Sequence, residues 1–296
     1  MNATELRATR GRRWLCYVTP TLTMYMRDAP TQAVARAAID AYRLVCPAER
    51  LLFGTGSQAP AFAPLSTAHG LDMIKEHLDS FDRRKDRGIV LWDGQLRESW
   101  SLTIQGVGPD HGRARASFIH VYCPNEADPN VLAQLALALA NRVPFLSGHV
   151  GLAAVFNADL KNAAFDQVYA WAKRYPGLEV EDLNVTVNHV LDRIKGANWL
   201  TMLGAELADG FDPAHAGASL PSGIDVLAAR HGVVFKAGPV PQLGDRNRGD
   251  WPAPYVAMER ALAPLKTTVH GEFAGRFSEE SATSAWLQRF SVTGVW

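Results

Sequence analysis

Apolar and polar positions alternate from Trp14 to Met26, in a stretch rich in Tyr, Val, Thr and Leu, which predicts one long strand. Asp28-Ala-Pro-Thr31 breaks it and opens a helix. There Val34, Ala37, Ala38, Ala41 and Val45 share one face, while Gln32, Arg36, Asp40 and Arg43 take the other, the pattern of a surface helix with one buried stripe. Pro47 closes that helix. Leu51–Phe53 is a short strand, and Leu71, Ile74, Leu78 and Phe81 stripe a second helix. Ile89–Trp92 and Glu98–Ile104 read as strands around the turn signal Asp93-Gly94. Ala116–Tyr122 alternates and stops at Pro124-Asn125. Val131–Ala140 is apolar on nearly all sides, hence a deeply buried helix, and His149–Phe156 is a buried strand. Phe165, Val168, Tyr169 and Ala172 stripe a further helix.

The second half is less regular. Pro176-Gly177 is a break, Glu179, Glu181 and Asp182 form an acidic cluster, and Asn184–Ile194 suits a helix or a strand equally. Trp199–Leu203 is a short apolar run, and Asp209–Gly223 reads as a loop. Ile224–Ala228 and Val233–Lys236 flank Arg230-His-Gly232 as a hairpin. Gly238–Trp251 is a polar loop rich in Gly and Pro. Pro254 suits the first turn of a helix striped by Tyr255, Met258 and Leu262 and ended by Pro264. Ser278 reads as the N-cap of a last helix, with acidic residues in its first turn and Ala282, Ala285, Trp286 and Phe290 on its buried side. No Gly/Ser linker divides the chain. The prediction is an α+β fold, mixed or antiparallel sheets with packed helices, in a single unit over residues 1–296 or in two lobes, about 1–175 and 176–296. The first half also echoes itself. The strand, acidic Pro-containing turn, helix and Pro stop from Tyr25 to Pro47 return from Tyr122 to Pro144, as two related βαβ-like units or as two independently capped helices.

Composition narrows the picture by exclusion. With 296 residues, 47% hydrophobic and 20% charged, the chain is neither disordered nor fibrous. Thirty basic residues balance thirty acidic ones, so charge gives no case for direct nucleic-acid binding or a membrane surface. Cys16, Cys46 and Cys123 are odd in number and widely spaced, which suits buried thiols in a reducing cytoplasm. The apolar run before Asn141 is about 10 residues, short of the roughly 20 that cross a bilayer.

Chemistry-bearing motifs are missing. No GxSxG, HExxH, CxxC or phosphate loop occurs, and the nine histidines form no ligand spacing, so we expect no catalytic residue, no metal site and no cofactor. Asp72, Glu76, Asp79 and Asp82 interleave with Lys75, Arg83 and Arg84 as a solvated helix face. The unusual segment is Gly238–Trp251, where Asp245, Arg246, Asn247, Arg248 and Asp250 lie between glycines and a tryptophan. It reads as a recognition loop or as an ordered loop whose Asp and Arg side chains satisfy one another.

Five segments in order and spacing carry a resemblance: Leu22–Val45, Ser147–Ala153, Gly196–Gly204, Val234–Asp250 and Tyr255–Leu265. Together they resemble a bacterial family of type VI secretion immunity proteins, over roughly residues 14–266, with Ala237-Gly-Pro-Val-Pro-Gln-Leu-Gly-Asp-Arg-Asn-Arg-Gly-Asp250 as the most specific part. The resemblance implies a cytoplasmic protein that binds a cognate effector toxin, a nuclease, inside the producing cell and neutralises it, with no catalytic residues of its own. On that reading a monomer is favoured. Glu179, Glu181 and Asp182 are expected to face a basic surface of the effector, and Arg246, Arg248 and Trp251 are candidate partner-binding anchors. The alternative is a small-molecule enzyme that grips an anionic ligand with the 238–251 loop.

Overall fold

The structure, a computed structural model, describes residues 5–46, 51–54, 62–84, 87–95, 97–108, 112–209, 211, 220, 223–279 and 281–291. Pro47, most of the Asp209–Gly223 loop and Glu280 lie outside them.

The chain opens with Arg7–Arg10 (β1), the long Arg13–Met26 (β2) and Gln32–Arg43 (α1). Leu52–Gly54 (β3), Ala63–Pro64 (β4), Ala68–Asp79 (α2), Gly88–Trp92 (β5), Ser101–Gln105 (β6) and Ser117–Tyr122 (β7) follow. Then come Asn130–Arg142 (α3), Ser147–Phe156 (β8), Lys161–Arg174 (α4), Glu179–Val180 (β9) and Leu183–Thr186 (α5). The rest is Leu200–Gly204 (β10), Ala205–Asp209 (α6), Ile224–Ala229 (β11), Gly232–Ala237 (β12), Ala253–Leu262 (α7) and Ala282–Leu287 (α8). Thr31 and Thr67 cap α1 and α2, each hydroxyl accepting from the backbone N–H three residues on.

The 12 strands form one open sheet in the order β11-β12-β10-β8-β2-β7-β6-β5-β3-β4, with β1 on β2 and β9 on β8. Strands from either side of residue 175 share it. All pairs are antiparallel except β8 with β9. The central strands each divide an outer edge between two partners: β2 gives its start to β1 and its end to β7, and β8 gives its start to β10 and its end to β9. Both halves of the sequence echo are crossovers between parallel strands. Chain β7-α3-β8 steps over β2 alone, whereas β2-α1-β3 steps over β7, β6 and β5. The last helix differs from expectation. Gly275–Ser278 is a 3-10 turn, Ser281 takes a left-handed conformation at φ 61°, and α8 starts only at Ala282.

The register sorts the two faces. Phe53, Leu91, Leu102, Val121, Leu22, Val150 and Leu200 align across seven strands, beside Ile89, Ile104, Ile119, Met24 and Met202. These rows bury against α1, α2 and α3. A second cluster packs α4 and the C-terminal segment, through Phe165, Val168, Phe273, Phe277 and Trp286, against the start of β2 and the end of β8. The opposite face carries a polar row: Thr103, His120, Thr23, His149 and Thr201 lie side by side.

Candidate functional site

The polar row needs partners, because a buried polar group without a hydrogen bond is destabilising by about 1–3 kcal/mol. Segment 179–198 crosses this face and supplies them. Gly151 lets it come close: a Cβ there would lie 1.8 Å from Asn198 Oδ1. Thr23 Oγ1 donates to Glu181 Oε1 (3.2 Å) and contacts His120 Nδ1 (2.9 Å). One hydroxyl proton serves one acceptor, so His120 donates from Nδ1 to Thr23. His149 Nε2 pairs with the same Glu181 oxygen.

Behind this pair lies a chain of buried charges. Lys195 Nζ is 2.7 Å from Glu179 Oε1, 3.8 Å from Glu181 Oε2 and 2.5 Å from the Val180 carbonyl. Arg289 Nη2 is 3.2 Å from Glu179 Oε2, and Asn198 Nδ2 donates to that oxygen at 3.0 Å. Lys266 pairs with Glu259, whose other oxygen accepts from the Ala197 N–H at 2.8 Å. Three carboxylates therefore meet three cations, and Asp182 has its own partner in Lys161 at 2.7 Å. Burial alone would raise the Glu181 carboxyl, but Lys195 and His149 hold it well below the usual carboxylate range. Burial lowers His120 below the ordinary histidine value.

This overturns the expectation of an acidic surface patch. Glu179, Glu181 and Asp182 are 3%, 6% and 1% exposed, so they do not meet a partner as a solvent-facing cluster. His149, Glu179 and Glu181 each place one ligand-type atom within 4.8 Å of the others, the beginnings of a metal donor set. Lys195 and Arg289 already occupy the cation positions there, and a divalent ion would add positive charge beside two buried cations. The arrangement is an ion network that fastens β9, the segment before β10, α7 and the C-terminal segment to the sheet. Beside it, Thr21, Phe118, His120, Val155 and Asn184 line a cavity of about 280 Å³.

The 238–251 loop is on the surface and internally braced. Arg174, from the last turn of α4, grips Asp245 through Nε (3.1 Å) and Nη2 (2.8 Å). That hydrogen-bonded pairing lowers the Asp245 carboxyl and raises Arg174. Asp245 Oδ1 also accepts from the Asn247 N–H, capping the 3-10 turn Arg246–Arg248, and Asp245 and Asp250 form an antiparallel bridge. Gly244 and Gly249 both sit at φ +67°, where a side chain would be strained. Arg246 lies over Trp251, with its guanidinium carbon 5.6 Å from the ring centre, and Arg248 is exposed. The structure thus sets Arg246 against Trp251 with Arg248 exposed on the same turn, while the acidic segment is buried. The residues that sequence reasoning missed are Lys195, Glu259, Lys266, Arg289, His120, His149 and Arg174. Arg289 did leave a signal, a lone charge between Trp286 and Phe290 on an apolar stripe.

One sheet, helices on its apolar face and a charge-neutralised polar face define an α+β class shared with a solved structure, the Pseudomonas aeruginosa T6SS protein PA0821. The two agree with a TM-score of 0.77 at 21% identity, over 96% of this chain and 87% of that one. No curated protein matches the chain. A family model described as type VI immunity for VRR-NUC matches residues 101–290, a span that holds the whole ion network and the braced loop. The chain belongs to this family of immunity proteins. Among the described residues, no helix is long and apolar enough to cross a membrane.

Proposed function

We propose that this protein binds its cognate VRR-NUC effector one-to-one, as a monomer in the cytoplasm of the producing bacterium, and neutralises it without covalent chemistry of its own. Membership of the family over residues 101–290 carries the reading. The chemistry of the interior supports it: the three carboxylates, three cations and His149 of the network engage one another at 2–9% exposure, which suits a scaffold better than a reaction centre. Nanomolar affinity requires about 12 kcal/mol, which calls for an ordered surface with aromatic and Arg anchors. Arg246, Arg248 and Trp251 are of that kind.

The test is co-expression with the neighbouring effector. Restored growth and a co-purifying complex are expected. Unrelieved toxicity with no complex would remove the reading, and turnover of a small anionic substrate abolished by a change in the 238–251 loop would favour an enzyme instead.

A further inference from the structure

The acidic cluster at 179–182 is buried, whereas Arg248 and its neighbours at the braced loop stand at the surface. We propose that the end of α4 and the Asp245–Trp251 loop form a preorganised cationic face that docks an acidic surface of the effector. This rests on the functional reading above and specifies the chemistry of the contact.

The geometry carries it. Ala170, Lys173, Arg174, Arg246 and Asn247 line an open concavity of about 470 Å³, and among the described residues no carboxylate lines it. Arg248 stands beside it, with its side chain 71% exposed. Lys173, Arg246 and Arg248 set three cationic side chains around the Arg174–Asp245 pair, with Asp250 exposed at the end of the turn. The bidentate Arg174–Asp245 pair, the capped 3-10 turn and the two left-handed glycines hold the loop in place before any partner arrives. Ordering entropy is thus already spent, which is how a face of modest area binds tightly. Trp251 under Arg246 supplies a rigid aromatic edge. The carboxylates expected to face a basic partner are buried, and the exposed cations at this loop call for an acidic counterpart on the effector. A nucleic acid suits the face poorly. Such sites neutralise a track of phosphates, often about six to ten, whereas this concavity is built from one helix end and one loop.

The experiment measures the dissociation constant of the effector complex across a salt series for three proteins: the unsubstituted chain, the triple variant Lys173→Gln/Arg246→Gln/Arg248→Gln, and a control triple Arg43→Gln/Lys75→Gln/Arg83→Gln. The control removes the same charge from the exposed surface of α1, α2 and the turn after α2. The triple should bind at least about tenfold more weakly, with a shallower salt dependence, while the control stays within about twofold. Equal affinity of triple and control would overturn the inference and leave the functional reading standing. So would binding of a short DNA duplex that is lost in the triple while effector affinity is kept. Absence of any complex with the unsubstituted chain defeats the functional reading itself, and the inference with it.

Discussion

Replacing Lys195 by Met deletes the ammonium that joins two buried carboxylates while keeping the length of the side chain. At 2.7 Å from Glu179 and 3.8 Å from Glu181, the two attractions are about 6 and 4 kcal/mol at an effective dielectric of 20. Desolvation of the ions, several kcal/mol each, offsets most of that in the intact network. Truncation does not recover it, because both carboxylates stay buried and share one cation fewer, with Arg289 left on Glu179 and only His149 on Glu181, and breaking a buried pair in this way destabilises by about 3–5 kcal/mol. That is a large part of the roughly 5–15 kcal/mol by which domains are stable. The assay is urea unfolding followed by tryptophan fluorescence, at pH 7.5 and at pH 5. In the parent, Glu181 is depressed, so its contribution is present above the unfolded carboxyl value and is lost as pH falls through the lower folded value. Without Lys195 the burial of Glu181 is less well opposed and its folded carboxyl moves upward, so the deficit should narrow at pH 5. Adding Glu181→Gln to Lys195→Met should recover part of the loss, as expected for directly coupled residues, because Glu179 keeps Arg289 at 3.2 Å. A deficit below about 1 kcal/mol, the same at both pH values, would refute the account of the network as a charge-compensated core.

Gly151→Ala puts a methyl 1.8 Å from Asn198 Oδ1 and should destabilise by about 1–3 kcal/mol in the same unfolding assay. Burial lowers both His120 and His270, the latter to about 3, so both stay neutral in the fold while their unfolded forms protonate near pH 6.5. Stability should therefore fall as pH drops below that value, by up to about 1.4 kcal/mol per pH unit and group, and His270→Phe should flatten the slope of a pH-dependent unfolding series. Burial pushes the Cys16 and Cys123 thiols up to about 12, so iodoacetamide at pH 8 should leave both unmodified in the native protein and alkylate them rapidly in denaturant, as read by mass spectrometry.

The strands that form the sheet were largely legible, because period-2 alternation is a local signal. β2, β7, β8 and the β11–β12 hairpin lie within a residue or two of their predicted bounds. The Thr positions of β2 looked like ordinary strand formers. Their place in a polar row depends on register with His120 and His149, about 100 and 130 residues away in the chain. The acidic cluster misled for a related reason. Three carboxylates within four residues look solvated when their partners are out of view, and Glu179 finds Arg289 at a sequence separation of 110. Asn184–Ile194 gave no clear period because only one helical turn forms at its start, and the rest is held by contacts such as Gly271 N–H to His189 and the Ile194–Lys266 bridge. The 238–251 loop was recognisable as special, but its brace, Arg174, sits at the end of a helix whose apolar stripe drew attention elsewhere.

The shared edges of β2 and β8 bear on how the sheet assembles. β2 precedes both of its long neighbours, which are completed only at Tyr122 and Phe156, and the guanidinium that neutralises Glu179 comes later still, at Arg289. Topologies dominated by such distant pairings fold slowly, and a nascent chain of this kind exposes unpaired edges while it waits. The charge-compensated centre thus closes only once Arg289 reaches Glu179 across 110 residues of chain, and a chain that loses this guanidinium forfeits the charge balance at the centre of its sheet.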